Sequence, residues 1–375
     1  MTHSSCSELQ YQIALTMAPA IGPVIARKLI KKTGSARAVF RLQKTSLQKI
    51  ERIGPRLSES ITSSALLEKA EKELAFLERH HISAFYFEDE EYPSRLRECE
   101  DAPILLYARG NEGLNTKKAL SVVGTRKASS YGKELCRSIV FELGSMIDDL
   151  VIISGLAFGI DVIAHRAALE GGIPTVAVLG HGLSTLYPHA HRETAKKICS
   201  QGALVTDFHS GMGPERNNFL RRNRIIAGMA DATLVVESAA SGGALITAQM
   251  ASSYQRDVLA VPGRATDERS KGCNGLIKKN VAAMVESAHD VIDHLNWTDD
   301  IAKNPKHRSE KISFTFHEKQ LLELIIQQSG LGPGELCMRS GIPIQKVLSL
   351  LTEMELKRWI VVEPGNRYQA MIEIS

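Results

Sequence analysis

The fold is decided by residues 120–129, Leu-Ser-Val-Val-Gly-Thr-Arg-Lys-Ala-Ser. A short valine-rich run followed by glycine and then by polar and basic residues is typical of a buried strand that ends in a loop leading into a helix. The same pattern returns along the chain. Its further apolar runs are residues 151–153, 175–179, 203–206, 233–236 and 258–261, and another lies near 283–285. This alternation predicts a Rossmann-like α/β domain over about residues 115–297, with a doubly wound, mainly parallel sheet.

A helical domain is predicted before this sheet, over residues 1–68. Residues 20–24, Ala-Ile-Gly-Pro-Val, and residues 52–56, Arg-Ile-Gly-Pro-Arg, each precede a helical pattern, the second of which covers residues 57–67. Two such turns with ten lysines and arginines between residues 24 and 60 favour a helix-hairpin-helix (SAM-like) domain, whose turn amides would face a duplex DNA phosphate. An ordinary helical bundle with Gly-Pro turns remains the alternative.

The segments around the sheet complete the predicted organisation. Residues 69–114 form a connector with one strand at 104–107, and the polar residues 298–311 form a linker. Residues 312–375 predict a winged helix, which would bind DNA or protein. Its helical patterns are residues 317–328, 333–340 and 343–358, and its strand-like runs are residues 359–363 and 367–372.

Composition excludes several classes of protein. The net charge of +4 on 375 residues is small, so the basic character is local rather than general. No Cys-x-x-Cys pair occurs among the six cysteines, and we expect no metal site. The sequence shows no apolar signal core and no run long enough to cross a bilayer, which predicts a cytoplasmic protein without membrane contact.

Glycine-bearing loops follow five of the predicted strands. In an open parallel sheet these loops lie at the carboxyl edge, where glycine lets backbone amides approach a phosphate. A basic run, residues 221–224, precedes the fifth strand, and arginine binds phosphate bidentately and stacks on bases. The candidate phosphate-binding residues are therefore Gly124, Thr125, Arg126, Lys127, Ser129, Gly155, Gly159, Gly180, Gly182, Arg221, Arg222, Asn223, Arg224, Ser241, Gly242, Gly243 and Arg264.

The form of the phosphate compound follows from two missing motifs. The Gly-x-Gly-x-x-Gly fingerprint does not follow the first strand, and Gly132-Lys133 is followed by Glu134 rather than by serine or threonine. NAD and ATP are therefore not expected, and no cofactor is predicted. Several separate anion sites with arginines favour an extended polyanion, single-stranded DNA.

Two side chains four residues apart could carry other chemistry. Asp161 and His165 are spaced as an acid–base pair on a helix. A helix-capping aspartate and a packed histidine are the favoured interpretation. No catalytic residue is predicted.

The order of the loops resembles one family, DNA-processing protein A (DprA/Smf), over nearly the whole chain. The matching runs are residues 92–96, 123–129 with 131–132, 154–161 with 164–165, 177–182 with 187–188, 222–227, 241–248 and 260–263. The resemblance implies a homodimer, formed through the Rossmann-like domain, that protects single-stranded DNA during natural transformation and loads the RecA recombinase onto it. It implies no enzymatic activity. It places the DNA pocket at residues 124–126 and 222–224.

Three departures from the family pattern are visible. Thr206-Asp207 stands where the family often has Ser-Glu. The usual glycines near Gln255 and Asn280 are absent. His189 follows the Tyr-Pro pair where a lysine often provides a phosphate contact, and we include His189 among the candidate DNA-binding residues.

Two other functions compete with the single-strand binder. A nucleotide phosphoribohydrolase-like enzyme of related fold would need a catalytic glutamate, for which Glu237 beside residues 241–243 is the nearest candidate. A duplex DNA-binding repair protein would act mainly through the N-terminal hairpins.

Overall fold

The chain divides into two units in the computed structural model, Met1–Asn304 and Pro305–Ser375. The described residues are 7–51, 53–110, 113–298, 314–357, 359–363 and 365–370. The predicted linker at residues 298–311 lies outside the described residues except for its first residue.

Helices fill the N-terminal part of the first unit. Both Gly-Pro turns start a helix, because proline suits the first helical position, where its missing N–H needs no partner. Gly22 and Gly54 are the N-caps of the helices that begin at Pro23 and Pro55. The helix-hairpin-helix interpretation of these turns stays a prediction. The helices are α1 (Glu8–Met17), α2 (Pro23–Thr33), α3 (Ala36–Arg41), α4 (Lys44–Gln48), α5 (Pro55–Ile61) and α6 (Ser64–Arg79).

The single helix predicted over residues 57–67 is wrong. It ends at Ile61, and α6 begins at Ser64. Thr62 Oγ1 donates to the carbonyl of Ser58 at 3.1 Å, and such side-chain hydrogen bonds compete with continuation of a helix. Helix α6 then runs through the predicted boundary at residue 68.

One mixed sheet forms the centre of the first unit. Among the described residues its order is β1-β2-β6-β5-β4-β3-β7-β8-β9. The β1–β2 and β2–β6 pairs are antiparallel, and the others are parallel, which confirms the doubly wound, mainly parallel prediction. The strands are β1 (Ser83–Tyr86), β2 (Leu105–Arg109), β3 (Lys118–Val123), β4 (Leu150–Ser154), β5 (Thr175–Val178), β6 (Ala203–Thr206), β7 (Ala232–Val235), β8 (Asp257–Ala260) and β9 (Ala283–Met284).

Helices cover both faces of this sheet. Ile226 on α11 and Ala248 on α12 belong to the apolar cluster on one face, while Ile139 on α8 and Ala164 on α9 belong to the cluster on the other. These helices bury the strands on both sides, which explains their continuously apolar sequences. The helices are α7 (Ser94–Arg97), α8 (Ser130–Met146), α9 (Ile160–Glu170), α10 (Arg192–Gln201), α11 (Arg216–Gly228), α12 (Gly243–Ser253), α13 (Lys271–Lys278) and α14 (Ala288–His294).

The N-terminal helices and the sheet share an apolar core. Leu105 and Tyr107 of β2 belong to the same buried cluster as Ile13 of α1 and Leu29 of α2. Strand β2, together with β1, therefore connects the helical region to the parallel sheet.

The second unit is a winged helix, as predicted. Leu321, Leu336 and Leu351 form its core, with one leucine from each helix. Its strands are antiparallel, and the strand predicted to reach residue 372 is described as far as Ala370. Its elements are α15 (Phe316–Gln327), α16 (Pro333–Ser340), α17 (Ile344–Leu356), β10 (Ile360–Glu363) and β11 (Arg367–Ala370).

No helix in the described part of the chain has both the length and the apolar character needed to cross a membrane.

Candidate nucleic-acid interface

The sheet reverses its winding at β3. This strand pairs with β4 on one side and with β7 on the other, so the loops that leave β3 and β7 diverge to opposite faces and open a crevice. The two loops are tied together where they start, because the amide of Thr125 donates to the carbonyl of Glu237 at 2.7 Å. A cavity of about 850 Å³ opens there, which we call the switch-point cavity.

Eight of the candidate residues line the switch-point cavity. They are Gly124, Thr125, Arg126, Arg222, Asn223, Ser241, Gly242 and Gly243. Ten others are not among its lining residues: Lys127, Ser129, Gly155, Gly159, Gly180, Gly182, His189, Arg221, Arg224 and Arg264. The structure therefore gathers eight of the candidate residues around one cavity and places the other ten outside its lining.

Several of the glycines that do not line the cavity allow neighbouring loops and helices to pack closely. Gly159 has φ +80°, and a Cβ there would lie 2.1 Å from the carbonyl oxygen of Thr125. A Cβ on Gly155 would lie 2.3 Å from an Arg222 guanidinium nitrogen, and one on Gly180 would lie 2.8 Å from the Phe219 ring. These glycines allow close approach of protein to protein, so they shape the cavity from behind.

Arg222 forms part of the cavity wall. Its side chain donates through Nη1 to the carbonyls of Gly155, at 2.7 Å, and Val178. The residue is only 4% exposed, and burial lowers its pKa to about 10, an effect that the nearby carboxylate of Asp161 opposes. Arg222 therefore stays charged at neutral pH, and its hydrogen bonds join the loop after β4 to the end of β5.

Arg224 points away from the cavity. Its guanidinium donates to the carboxylate of Asp207 and to the carbonyl of Asp101. The three residues of the Arg-Asn-Arg run lie on helix α11, where successive side chains are about 100° apart, so they cannot all face one pocket. Asn223 stays at the cavity wall, where its Nδ2 donates to the carbonyl of Gly243 at 3.3 Å.

Two aromatic side chains at the cavity were missed at the sequence level. Phe219 and Tyr187 line the cavity with ring centroids 5.6 Å apart, and Tyr187 is 41% exposed. The Arg126 guanidinium lies 5.8 Å from the centroid of the Phe219 ring. Arg216, one turn before Phe219, also lines the cavity. Basic residues interleaved with an aromatic one along residues 216–222 are typical of nucleic-acid binding, and that pattern could have found Arg216 and Phe219 but not Tyr187.

The remaining candidates have other placements. Ser129 caps helix α8, where its Oγ accepts from the amide of Gly132 at 3.0 Å. Arg221 is exposed, with its guanidinium 5.2 Å from the Phe208 ring centroid. Lys127 and Arg264 are exposed outside the cavity lining.

Glu237, the candidate catalytic glutamate, has a structural partner. It is 4% exposed, and its Oε2 accepts from the amide of Ser129 at 2.8 Å. It is absent from the residues that line the switch-point cavity, all of which the structure describes. The carboxylate therefore helps to order the start of α8.

His165 is a packed histidine, as its position in the helix suggested. It is fully buried, and its Nδ1 lies 2.7 Å from Thr175 Oγ1. Thr175 Oγ1 donates its proton to the carbonyl of Ile152, so His165 Nδ1–H is the donor to Oγ1. Burial lowers the pKa of His165 to about 3, and it stays neutral at physiological pH.

Comparison with known proteins places the chain in a family. Residues 83–296 match the model of DNA recombination-mediator protein A, and residues 317–366 match that of the DprA winged helix domain. The chain belongs to the DNA recombination-mediator protein A (DprA/Smf) family. The family resemblance seen in the loop sequences is thereby confirmed.

Three relatives illustrate the match. Protein Smf from Escherichia coli K12 is 34% identical over 302 residues, which cover 79% of each chain. The X-ray structure of DprA from Streptococcus pneumoniae superimposes with a TM-score of 0.63 at 31% identity, covering 76% of this chain and 97% of that one. A Helicobacter pylori DprA structure, reported for its single-stranded DNA binding mode, gives a TM-score of 0.52 at 26% identity and covers 58% of this chain and 96% of that one.

Proposed function

We propose that this member of the DprA/Smf family binds single-stranded DNA in the switch-point cavity. The observation that carries the proposal is the placement of the Arg126 guanidinium over Phe219, beside Tyr187, in one open cavity. Guanidinium groups bind the backbone phosphates, and exposed rings stack on bases of any sequence. The single-stranded DNA binding mode reported for the Helicobacter pylori relative supports this reading.

A single strand fits this site better than a duplex does. Stacking on Phe219 and Tyr187 requires a base whose face is free, and bases in a duplex are already stacked on each other. The phosphate contacts would come from Arg126 and Arg216, which line the same cavity. Binding should therefore tolerate any sequence and weaken as salt increases.

We also propose that the protein passes the bound strand to RecA during natural transformation and acts as a homodimer formed through the Rossmann-like domain. Support comes from membership in a family of recombination mediators. The proposal contains no catalytic step and no cofactor. In a host without DNA uptake the same cavity would serve general recombination or repair.

A direct test measures fluorescence anisotropy with labelled oligothymidylate of about 20 nucleotides and with a duplex of equal length, each across a salt titration. We expect the single strand to bind at least tenfold more tightly than the duplex. Arg126→Ala should weaken single-strand binding, while Lys133→Ala, which removes an exposed charge outside the cavity, should not. Equal affinity for both DNAs together with an unaffected Arg126→Ala variant would favour the duplex-binding hairpins instead.

The proposed loading of RecA has its own test. RecA hydrolyses ATP when it assembles on DNA, so its ATPase rate reports assembly on a strand already covered by a single-strand-binding protein. Addition of the wild-type protein should shorten the lag before ATP hydrolysis begins, and addition of the Arg126→Ala variant should not. An unchanged lag with the wild-type protein would contradict RecA loading without affecting the DNA-binding proposal.

A further inference from the structure

A second cavity, of about 480 Å³, lies beside helix α10 and shares no lining residue with the switch-point cavity. Leu179, which follows β5, and Leu204 of the neighbouring strand β6 contribute to its lining together with Leu183 and Leu186. All four leucines belong to one apolar cluster. We call this space the α10 cavity. Its floor is aliphatic.

The rim of the α10 cavity is basic. Arg192 and Lys196 project from α10, Arg109 comes from the end of β2, and His189 precedes the helix. None of the residues that line the cavity, all of which the structure describes, is acidic. The nearest acid on α10 is Glu193, which pairs with Lys196 at 2.9 Å on the exposed surface, where such a pair is weak.

The two basic cavities differ in the chemistry of their walls. The switch-point cavity offers the aromatic rings of Phe219 and Tyr187, whereas the α10 cavity has leucines and no phenylalanine, tyrosine or tryptophan in its lining. Base recognition in single strands depends on ring stacking. An aliphatic floor under a cationic rim instead suits an apolar side chain flanked by carboxylates.

We propose that the α10 cavity docks an acidic peptide segment of a partner protein, with an apolar side chain of the peptide on the leucine floor and its carboxylates against Arg192, Lys196 and Arg109. Arg109 is held by a hydrogen bond from Nη2 to the carbonyl of His80 at 3.3 Å, which positions the guanidinium at the cavity. The hydroxyl of Thr185 adds a polar group at the same rim. The site lies outside the proposed DNA cavity, so DNA and peptide can bind together.

The test uses a labelled peptide of about ten residues in which four aspartates precede a leucine and a phenylalanine at the carboxyl end. Its affinity for the full chain is measured by anisotropy, with and without saturating oligothymidylate. We expect Arg192→Glu and Lys196→Glu each to weaken binding about tenfold. Lys197→Glu is the matched control, since Lys197 follows Lys196 on α10 but lines a different cavity. The Lys197→Glu variant should bind the peptide with the affinity of the wild type.

A charge swap distinguishes docking from loss of folding. The Arg192→Glu, Lys196→Glu double variant should bind a peptide with lysines in place of the aspartates at least tenfold more tightly than the wild type does. Three outcomes would overturn the proposal: no measurable binding of the acidic peptide, equal weakening by Lys197→Glu, or displacement of the peptide by oligothymidylate. The last outcome would make the α10 cavity part of the nucleic-acid path.

Discussion

Arg224 and Asp207 form a salt bridge in which both side chains are more than nine-tenths buried. Asp207 follows strand β6, and Arg224 lies on α11, so the pair joins the loop after one strand to a helix packed on the sheet. Loss of one member of a buried pair leaves the other charge desolvated and without its partner. The salt bridge thus stabilises the fold, and neither of its residues lines the switch-point cavity.

The first prediction concerns this pair. Arg224→Ala should lower the free energy of unfolding by about 3–5 kcal/mol, because the Asp207 carboxylate stays buried. The folded fraction should bind oligothymidylate with wild-type affinity, since Arg224 does not line the cavity. Urea unfolding followed by tryptophan fluorescence measures the first quantity. The double variant Arg224→Met, Asp207→Leu should recover most of the stability, and failure to recover it would assign the loss to packing.

The contacts of Arg224 could not be predicted from the sequence. The sequence Arg222-Asn223-Arg224 looked like one basic surface, but a helix turns each side chain away from the next. The contacts of Arg224 are with residues that lie far away in the chain, Asp101 and Asp207. No local pattern contains that information, so the sequence pointed to the strand ends where the cavity opens but not to the side chains that line it.

The second prediction separates stacking from charge at the cavity. Phe219→Ala should weaken oligothymidylate binding by about 1–3 kcal/mol and leave its salt dependence unchanged, because a ring releases no counterions. Arg126→Ala should instead reduce the slope of log K against log salt by about 0.7, the value for one phosphate contact on a single strand. Parallel salt titrations of both variants measure the two effects. Phe141→Ala, which removes an exposed ring from α8 outside the cavity, is the control. Identical slopes for Arg126→Ala and wild type would contradict the phosphate contact.

The third prediction tests the role of Gly159 behind the cavity. Gly159→Ala should destabilise the protein and abolish DNA binding, since its Cβ would lie 2.1 Å from the Thr125 carbonyl oxygen and displace the Arg126 loop. Gly172→Ala is the matched control, because Gly172 has φ +69° with no atom within 4 Å of the added Cβ. It should cost only the backbone strain of about 1–2 kcal/mol and leave binding intact. Thermal unfolding and anisotropy measure both variants, and equal behaviour of the two would exclude the proposed contact.

Most strands of the sheet could be predicted from their local sequence. The six buried parallel strands β3 to β8 were each predicted to within a few residues, because strands covered on both faces are short, apolar and bounded by glycine. Strand β1 was missed: Ser83–Tyr86 is partly exposed at the sheet edge, and it precedes the strand, glycine loop and helix alternation that predicted the other strands. Its antiparallel pairing with β2 depends on contacts that the local sequence does not encode.

The fourth prediction follows from two left-handed residues. Gln255 has φ +58° and Asn280 has φ +53°, in the left-handed region that glycine adopts without strain. Because both side chains are exposed, Gln255→Gly should remove strain without losing packing and stabilise the protein by about 1 kcal/mol. Asn280→Gly should gain less, since asparagine tolerates this conformation better. Differential scanning calorimetry measures the shift, and Gln255→Ala, which keeps the strain, should not stabilise.

The fifth prediction concerns the pH dependence of stability. His165 has its pKa lowered by burial from 6.5 to about 3, so between these values the unfolded chain binds the proton and the folded chain does not. The free energy of unfolding is therefore unaffected by this histidine above pH 6.5. Between pH 6.5 and the folded pKa it decreases as the pH falls, by about 1.4 kcal/mol for each pH unit. His165→Asn keeps a donor toward Thr175 Oγ1 but cannot be protonated in this range. Urea unfolding at several pH values should show a shallower decline for His165→Asn than for wild type. Parallel profiles between pH 6.5 and pH 4 would contradict a neutral, buried His165.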